Sequence, residues 1–393
     1  MDHYDIIVIG GGPAGSTLAW SLEKSGKRVL IIDKQNFPRD KTCAGWVTPA
    51  VMDTLEIDQD DYARGRTLQP ISAFRIGMMG QAPVDNDHGE TVSYGIRRCE
   101  FDAYLLDRVS ASKQLNTPVK SIEQKGRNWV INDTFEAPLL IGAGGHFCPV
   151  AKKLGHGPGS HETVVAAKEI EFEMTPAQAS ACQARGDTPE LWFCRDLKGY
   201  AWVFRKGNFL NIGLGREDSH KLTDHLNDFV DDMKAQGRVP ADLPGRFKGH
   251  AYLLYAHAER PLVDDGVMLI GDAAGLAYTQ SGEGIRPAIE SALIAANVIR
   301  QVSDVSARNL ERYGEAISER FGTRALNDQS SWQIPDWVKL PLASGLMRSQ
   351  WFTRKVVTES GFCTSKYRRW SLHCSFPAAI AGSDEASVGS GIT

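Results

Sequence analysis

Residues 5–9 read DIIVI, a continuous β-branched apolar run, and glycines at 10, 11, 12 and 15 follow at once. Such a run suits a buried parallel strand. A helical pattern through Leu18, Ala19 and Leu22 comes next, then a second apolar run at 28–32 that ends on Asp33. Strand, glycine turn, helix, strand and terminal acid, in this order, constitute a dinucleotide-binding βαβ unit. Gly10 permits the tight turn, Gly12 lets the backbone approach a pyrophosphate, and Gly15 allows close helix–strand packing. Pro13 and Ala14 open the helix, whose free N–H groups and positive dipole end face the phosphates. Asp33 stands 21 residues beyond Gly12, followed by Lys34. A carboxylate there accepts both ribose hydroxyls of an adenosine.

That unit alone serves NAD or FAD. A second constellation separates them. Residues 267–290 read VMLIGDAAGLAYTQSGEGIRPAIE, a buried strand that delivers Gly271 and Asp272 at its C-terminal edge. An acid there holds sugar-alcohol hydroxyls, and Gly282 and Gly284 admit a flat ring against the backbone. A helix starting near Ile285 aims its dipole at charge developing on a flavin N1–C2=O edge.

Composition bounds the class. The 393 residues are 42% hydrophobic and 23% charged, which excludes fibrous, disordered and disulfide-stapled chains. Forty-four Lys and Arg against 48 Asp and Glu give a net charge of -4, the wrong balance for a nucleic-acid binder. The seven cysteines, at 43, 99, 148, 182, 194, 363 and 374, include no CxxC unit. They suggest a reducing, cytoplasmic setting rather than a disulfide framework or a zinc site. His146, His161, His250 and His257 have no metal-ligand spacing, so no metal is expected. No secretory signal or membrane-spanning run is visible.

The order of segments predicts an α/β chain that leaves the nucleotide-binding part and returns to it late. Residues 1–70, 93–160 and 260–310 are expected to form a discontinuous FAD-binding Rossmann-like domain. Residues 71–92 and 161–259 are expected to form an antiparallel-sheet substrate domain. A strand is read at 251–258. A helical C-terminal region at 311–380 is punctuated by Pro335 and Pro341, with a flexible Gly/Ser-rich tail at 381–393. From Met347 to Cys374 six Lys or Arg and one Glu interleave with Trp351, Phe352, Phe362, Tyr367 and Trp370. This segment reads as a capping helix over the body or as a surface facing a membrane or a partner. Gly155-His156-Gly157-Pro158-Gly159 lacks strand–turn–helix context and reads as a loop.

With these motifs the chain resembles the flavoproteins of the glutathione reductase and para-hydroxybenzoate hydroxylase fold type, and particularly their geranylgeranyl reductase branch. GGGPAGS at 10–16 is similar to the first FAD motif of that fold, and GDAAG at 271–275 to the motif whose acid contacts the ribitol. Arg98-Cys99-Glu100-Phe101-Asp102 resembles its R-x-x-F-D segment, which implies that Arg98 contacts FAD. The resemblance spans about residues 4–310. Lys41-Thr42-Cys43-Ala44-Gly45 resembles the K-x-C-G-G loop beside the flavin and substrate pocket. Residues 199–206, GYAWVFRK, resemble the branch's Y-x-W-x-F-P-K strand, with Gly213 and Gly215 completing the pattern. Ala44 replaces a glycine and Arg205 a proline, while the W-x-W-x-I-P motif of flavin-dependent halogenases is not present.

The resemblance implies an FAD-dependent oxidoreductase. One implied reaction is hydride transfer from reduced flavin to a carbon–carbon double bond of an apolar or isoprenoid-like substrate. The other is monooxygenation of a small molecule or a peptide or protein, and a flavin-binding interaction protein is the non-enzymatic reading. The residues add that Tyr200, Trp202 and Phe204 share one strand face, as pocket wall or as sheet core. Cys43 reads as a flavin-shielding, proton-delivering or structural thiol. Arg205 is expected to orient a substrate carboxylate or phosphate, or to lie on the surface. With one dinucleotide unit evident, the electron donor is transient NAD(P)H or a protein.

Overall fold

The computed structural model describes residues 1–155, 164–218, 220–258, 260–279, 281–324 and 336–362, with side chains from 340 to 359 in the last stretch. The loop from His156 on, His161, Cys363, Cys374, Tyr367, Trp370 and the tail from 381 lie outside the described residues.

The first apolar run forms the strand Ile6–Ile9, buried at every position, and the second forms Val29–Ile32. They pair in parallel, and Leu139–Gly142 pairs in parallel on the other side of Ile6–Ile9. Val267–Leu269 adds to Leu139–Gly142, so the late motif returns to the sheet opened by the first. The helices Pro13–Leu22 and Ile285–Gln301 pack on this sheet and contribute Leu18, Ala292 and Ala295 to its core. Burying a leucine is worth about 1.5–3 kcal/mol and an alanine methyl about 0.8 kcal/mol. The chain is therefore α/β in class.

The second large sheet has seven strands. Its centre is the hairpin Gly199–Lys206 and Phe209–Arg216, closed by a two-residue turn with Gly207 at a φ of 58°. Val164–Glu173 and Lys248–Leu253 extend it in antiparallel pairing. One junction departs from the antiparallel expectation: Glu190–Phe193 runs parallel to Ala73–Met78. More than a hundred residues separate those strands in sequence, so no hairpin dictates their direction.

Two further expectations are corrected. The strand read at 251–258 ends at Leu253, because Tyr255 turns away and its N–H bonds the carbonyl of Ala277 at 2.8 Å. Pro341 does not break its helix but lies inside Asp336–Leu346. It is the sixth of the eleven residues of that helix, where the missing N–H removes a ladder bond without ending the helix.

Candidate active site

The nucleotide end of the site is built from backbone. Gly10 has a φ of 116°, and a Cβ there would stand 2.5 Å from the carbonyl oxygen of Ala143. At Gly15 a Cβ would meet the oxygen of Gly10 at 1.9 Å, so this glycine is where helix and turn touch. The helix Pro13–Leu22 starts at Gly12 with no side-chain cap and no acid in its first turn. Its unsatisfied N–H groups border a large cavity lined by Gly10, Gly12, Pro13 and Ala14. Asp33 and Lys34 line the same cavity. Asp33 is held by N–H bonds from Gly11 (2.8 Å) and Gln35 (2.9 Å).

A second helix start converges on this one. Ile285–Gln301 begins at Gly284, again with no side-chain cap and no acid in the first turn. Gly271, at a φ of 59°, is wedged between Ala14 and Ala288, with 3.2 and 3.1 Å available to a Cβ. Asp272, Gly282, Gly284 and Ile285 face the cavity, whereas Gly15 and Gly271 act through packing and do not line it. Arg98 lines it too, buried and fixed by a two-pronged pair to Asp102 at 2.8 and 2.9 Å. That carboxylate and the nearby Cys43 thiol outweigh burial and hold the guanidinium well above its ordinary pKa. Two uncapped helix starts, a carboxylate at each strand end and a cradle that any Cβ would fill fit the phosphates and sugars of FAD.

The far wall of the cavity is side chain. Tyr200, Trp202 and Phe204 all line it, in line with their two-residue spacing. The Tyr200 hydroxyl donates to the carbonyl of Ser281 at 2.6 Å. Trp202 lies opposite Gly213, where a Cβ would collide with its ring at 2.3 Å, so only glycine lets the indole lie against the sheet. Its Nε1 donates to Asn211 Oδ1 (2.7 Å), and Asn211 Nδ2 donates to the carbonyl of Cys43 (3.1 Å). Cys43 and Ala44 thereby reach the wall, as does Trp46, whose ring centroid is 5.1 Å from Phe74 and 5.8 Å from Phe204.

Arg205 is a correction. Its guanidinium bonds the carbonyls of Gly207, Cys182 and Ala184 on the opposite face of the sheet, away from the cavity. The period that puts three rings inside puts residue 205 outside and Lys206 inside. Lys206 is fully buried, and its ammonium donates to the carbonyls of Ala44 (2.8 Å) and Ile96 (2.9 Å) and to Glu171 (2.6 Å). It ties the Cys43 loop to the sheet.

Sequence reasoning also missed the titratable groups of the cavity. Glu169, only 4% exposed, accepts the backbone N–H of Cys43 on Oε1, while Oε2 has no hydrogen-bond partner. Burial pushes its carboxyl up to about 7, against the opposing pull of the Cys43 N–H and Lys206. Glu283, between the two flavin-side glycines, is likewise raised to about 7 by burial. Lys41 Nζ lies 2.9 Å from His250 Nε2; burial lowers the pKa of both, the Arg98 charge further depresses Lys41, and the Lys41 and Arg98 charges further depress His250. The signal for Glu169 was the alternation of residues 164–173, but three glutamates share it and only strand register distinguishes them.

Residues 3–323 match the FAD binding domain family, and the chain belongs to that family. It is 28% identical over 341 residues to the digeranylgeranylglycerophospholipid reductase of Methanococcus vannielii, covering 82% of each chain. It is also 28% identical to the menaquinone reductase of Mycobacterium tuberculosis, covering 82% of this chain and 81% of that one. The fold is that of a geranylgeranyl bacteriochlorophyll reductase-like protein from Thermoplasma acidophilum, with a TM-score of 0.71, 22% identity, and 88% and 91% of the two chains covered. The protein is an FAD-dependent oxidoreductase of the para-hydroxybenzoate hydroxylase fold type. Within that class, the geranylgeranyl-type reductases are proteins to which it is similar along most of its length.

Proposed function

We propose that the protein reduces a carbon–carbon double bond of an apolar, isoprenoid-like substrate. One observation carries this reading: of the two buried cavity carboxyl oxygens without a hydrogen-bond partner among the described residues, Glu169 Oε2 and Glu283 Oε1, that of Glu169 belongs to the sheet that carries the aromatic wall. Reduced FAD, when bound, supplies the hydride. The chain must bind the alkene, exclude water and deliver a proton. Tyr200, Trp202, Phe204 and Trp46 bury an apolar chain at little entropic cost and keep the site dry. Glu169 holds a proton at Oε2 up to about pH 7 and gives it to the carbon that does not receive hydride. The carboxylate left behind keeps the Cys43 N–H and faces the Lys206 charge. Cys43 and Ala44 shape the floor of the chamber, and the electron donor is transient NAD(P)H or a protein.

The names of the M. vannielii and M. tuberculosis relatives, both reductases, support reduction over oxygen insertion. The test photoreduces the FAD-loaded protein without oxygen, then adds a geranylgeranyl lipid, its saturated analogue, or oxygen. Reoxidation by the unsaturated lipid alone, with formation of the saturated product, is expected. Reoxidation only by oxygen, with an oxygenated product, replaces this reading with monooxygenation.

A further inference from the structure

Glu283 lines the cavity, and the reduction proposed above gives it no task. Its place is fixed by the loop that carries it. At one end the Tyr200 hydroxyl holds the carbonyl of Ser281 at 2.6 Å, so the loop leans on the aromatic wall. At the other end Gly284 lies against Asp272, where a Cβ would stand 2.9 Å from the carboxylate. Between them Gly282 has a φ of 69°, and a Cβ there would meet the Tyr252 hydroxyl at 2.5 Å. The loop therefore bridges the acid that fits the sugar alcohol of FAD and the wall of the chamber. The flavin ring continues from that sugar alcohol, so 281–284 is the stretch of chain beside it.

The Glu283 carboxyl is poorly provided with partners. Its Oε1 is shut off from solvent and has no hydrogen-bond partner among the described residues. On the helix that follows, Arg286 pairs with Glu290 at 2.9 Å, and Glu290 also receives Arg320 at 2.7 Å and the Tyr278 hydroxyl at 3.2 Å. Burial pushes up the phenols around the loop, Tyr200, Tyr252 and Tyr278, so they stay neutral. Beyond Asp272, the cavity also holds Lys41, Arg98, Cys43 and Glu169. Burial raises the Glu283 carboxyl to about 7, against the charge and backbone N–H of Arg286. Such a group changes its charge near neutral pH when its surroundings change.

Reduction of FAD by two electrons and one proton adds one negative charge to the N1–C2=O edge of the ring. The helix start at Gly284 offers only about half a positive charge against it. An ionised carboxyl on the same loop would add to the negative charge. We infer that Glu283 is a redox-linked proton site for bound FAD, its carboxyl holding a proton while the flavin is reduced and releasing it when the flavin is oxidised. Two electrons and one proton enter the flavin, a second proton passes from water to the Glu283 carboxylate, and the site gains no net charge. When hydride leaves the flavin, the negative charge leaves with it, and Glu283 returns its proton to water. The inference rests on bound FAD and not on the identity of the substrate.

The experiment measures the two-electron midpoint potential of the FAD-loaded protein without substrate, by anaerobic dithionite titration against a reference dye. It spans about pH 5.5 to 8.5, around the Glu283 value, in wild type, Glu283→Gln, Glu283→Asp and Glu169→Gln. Below about pH 7 Glu283 is already protonated, and reduction takes up one proton. Above it a second proton is taken up, so the wild-type reduction equilibrium should fall a further tenfold per pH unit, an additional ~30 mV per unit. Glu283→Gln keeps the shape without the titrating proton and should lose this break, whereas Glu169→Gln should keep it. Glu283→Asp keeps the charge but changes its reach, and should shift the break. A wild-type slope that does not steepen overturns the inference whatever the variants do, and one that flattens assigns the proton to flavin N1. A break that survives in Glu283→Gln, or that stays unshifted in Glu283→Asp, also overturns it. So does a break lost in Glu169→Gln, which assigns the proton to Glu169. With no substrate present, failure here leaves the alkene reading untouched, and failure of that reading leaves this one.

Discussion

The two ends of the cavity are built from different material. At the nucleotide end, backbone does the recognition: glycines at 10, 12, 282 and 284 open space, and two uncapped helices present N–H groups. At the chamber end, side chains do it, and each is fixed by a partner on another strand or loop. Trp202 depends on Asn211 and Gly213, and Cys43 on Glu169 and Asn211, with Lys206 bracing the adjoining Ala44 carbonyl. A backbone site tolerates no added atom but needs few partners. A side-chain site can change its ligand by one substitution while the cofactor end stays as it is.

Substitutions should break that contrast in a graded way. Gly15→Ala should have the largest effect, because a Cβ 1.9 Å from a carbonyl oxygen must separate helix from turn. Purified protein should carry no flavin, or fail to fold, by absorbance and circular dichroism. Lys206→Met should follow. It leaves two buried carbonyls and Glu171 without their cation and should cost roughly 3 kcal/mol in denaturant unfolding. Asp33→Ala removes a charged acceptor for ribose and should weaken FAD binding by roughly 1.5–3 kcal/mol, measured by reconstitution of apoprotein, with flavin photoreduction unchanged. Arg205→Gln should do least, with an unchanged KM for substrate and a stability loss of about 1 kcal/mol. A raised KM there would return Arg205 to the site.

The same contrast governs what the sequence reveals. The cofactor end is legible because its parts are local: Gly10 to Gly15 form one turn, and Asp33 and Asp272 each end a strand next to their glycines. Local spacing also put Tyr200, Trp202 and Phe204 on one face, and it placed Lys206 there rather than Arg205. At Arg205 the parity of the strand, not the motif position, decides the face, and it selects the surface reading over the substrate-orienting one. Glu169 was not legible, since Glu171 and Glu173 share its alternation and the pairing Glu169–Gly213–Trp202 appears only with register. The Lys41–His250 contact spans 209 residues and leaves no local trace.

The central claim is that a buried, protonated Glu169 completes an aromatic reduction chamber. Burial raises its pKa from 4.5 to about 7, so the folded protein keeps this proton to a higher pH than the unfolded chain. Its stabilising contribution is full below about pH 4.5 and is lost as pH rises through about 7. Glu169→Gln should therefore gain stability relative to wild type over that interval. The most direct test is the rate at which an unsaturated isoprenoid lipid reoxidises the photoreduced protein, followed from pH 5.5 to 8.5 in wild type and Glu169→Gln. The wild-type rate should fall above about pH 7, and the variant should be slower by roughly 10²–10⁴-fold with no inflection near 7, at equal FAD content. Equal rates and matching pH profiles would contradict the account.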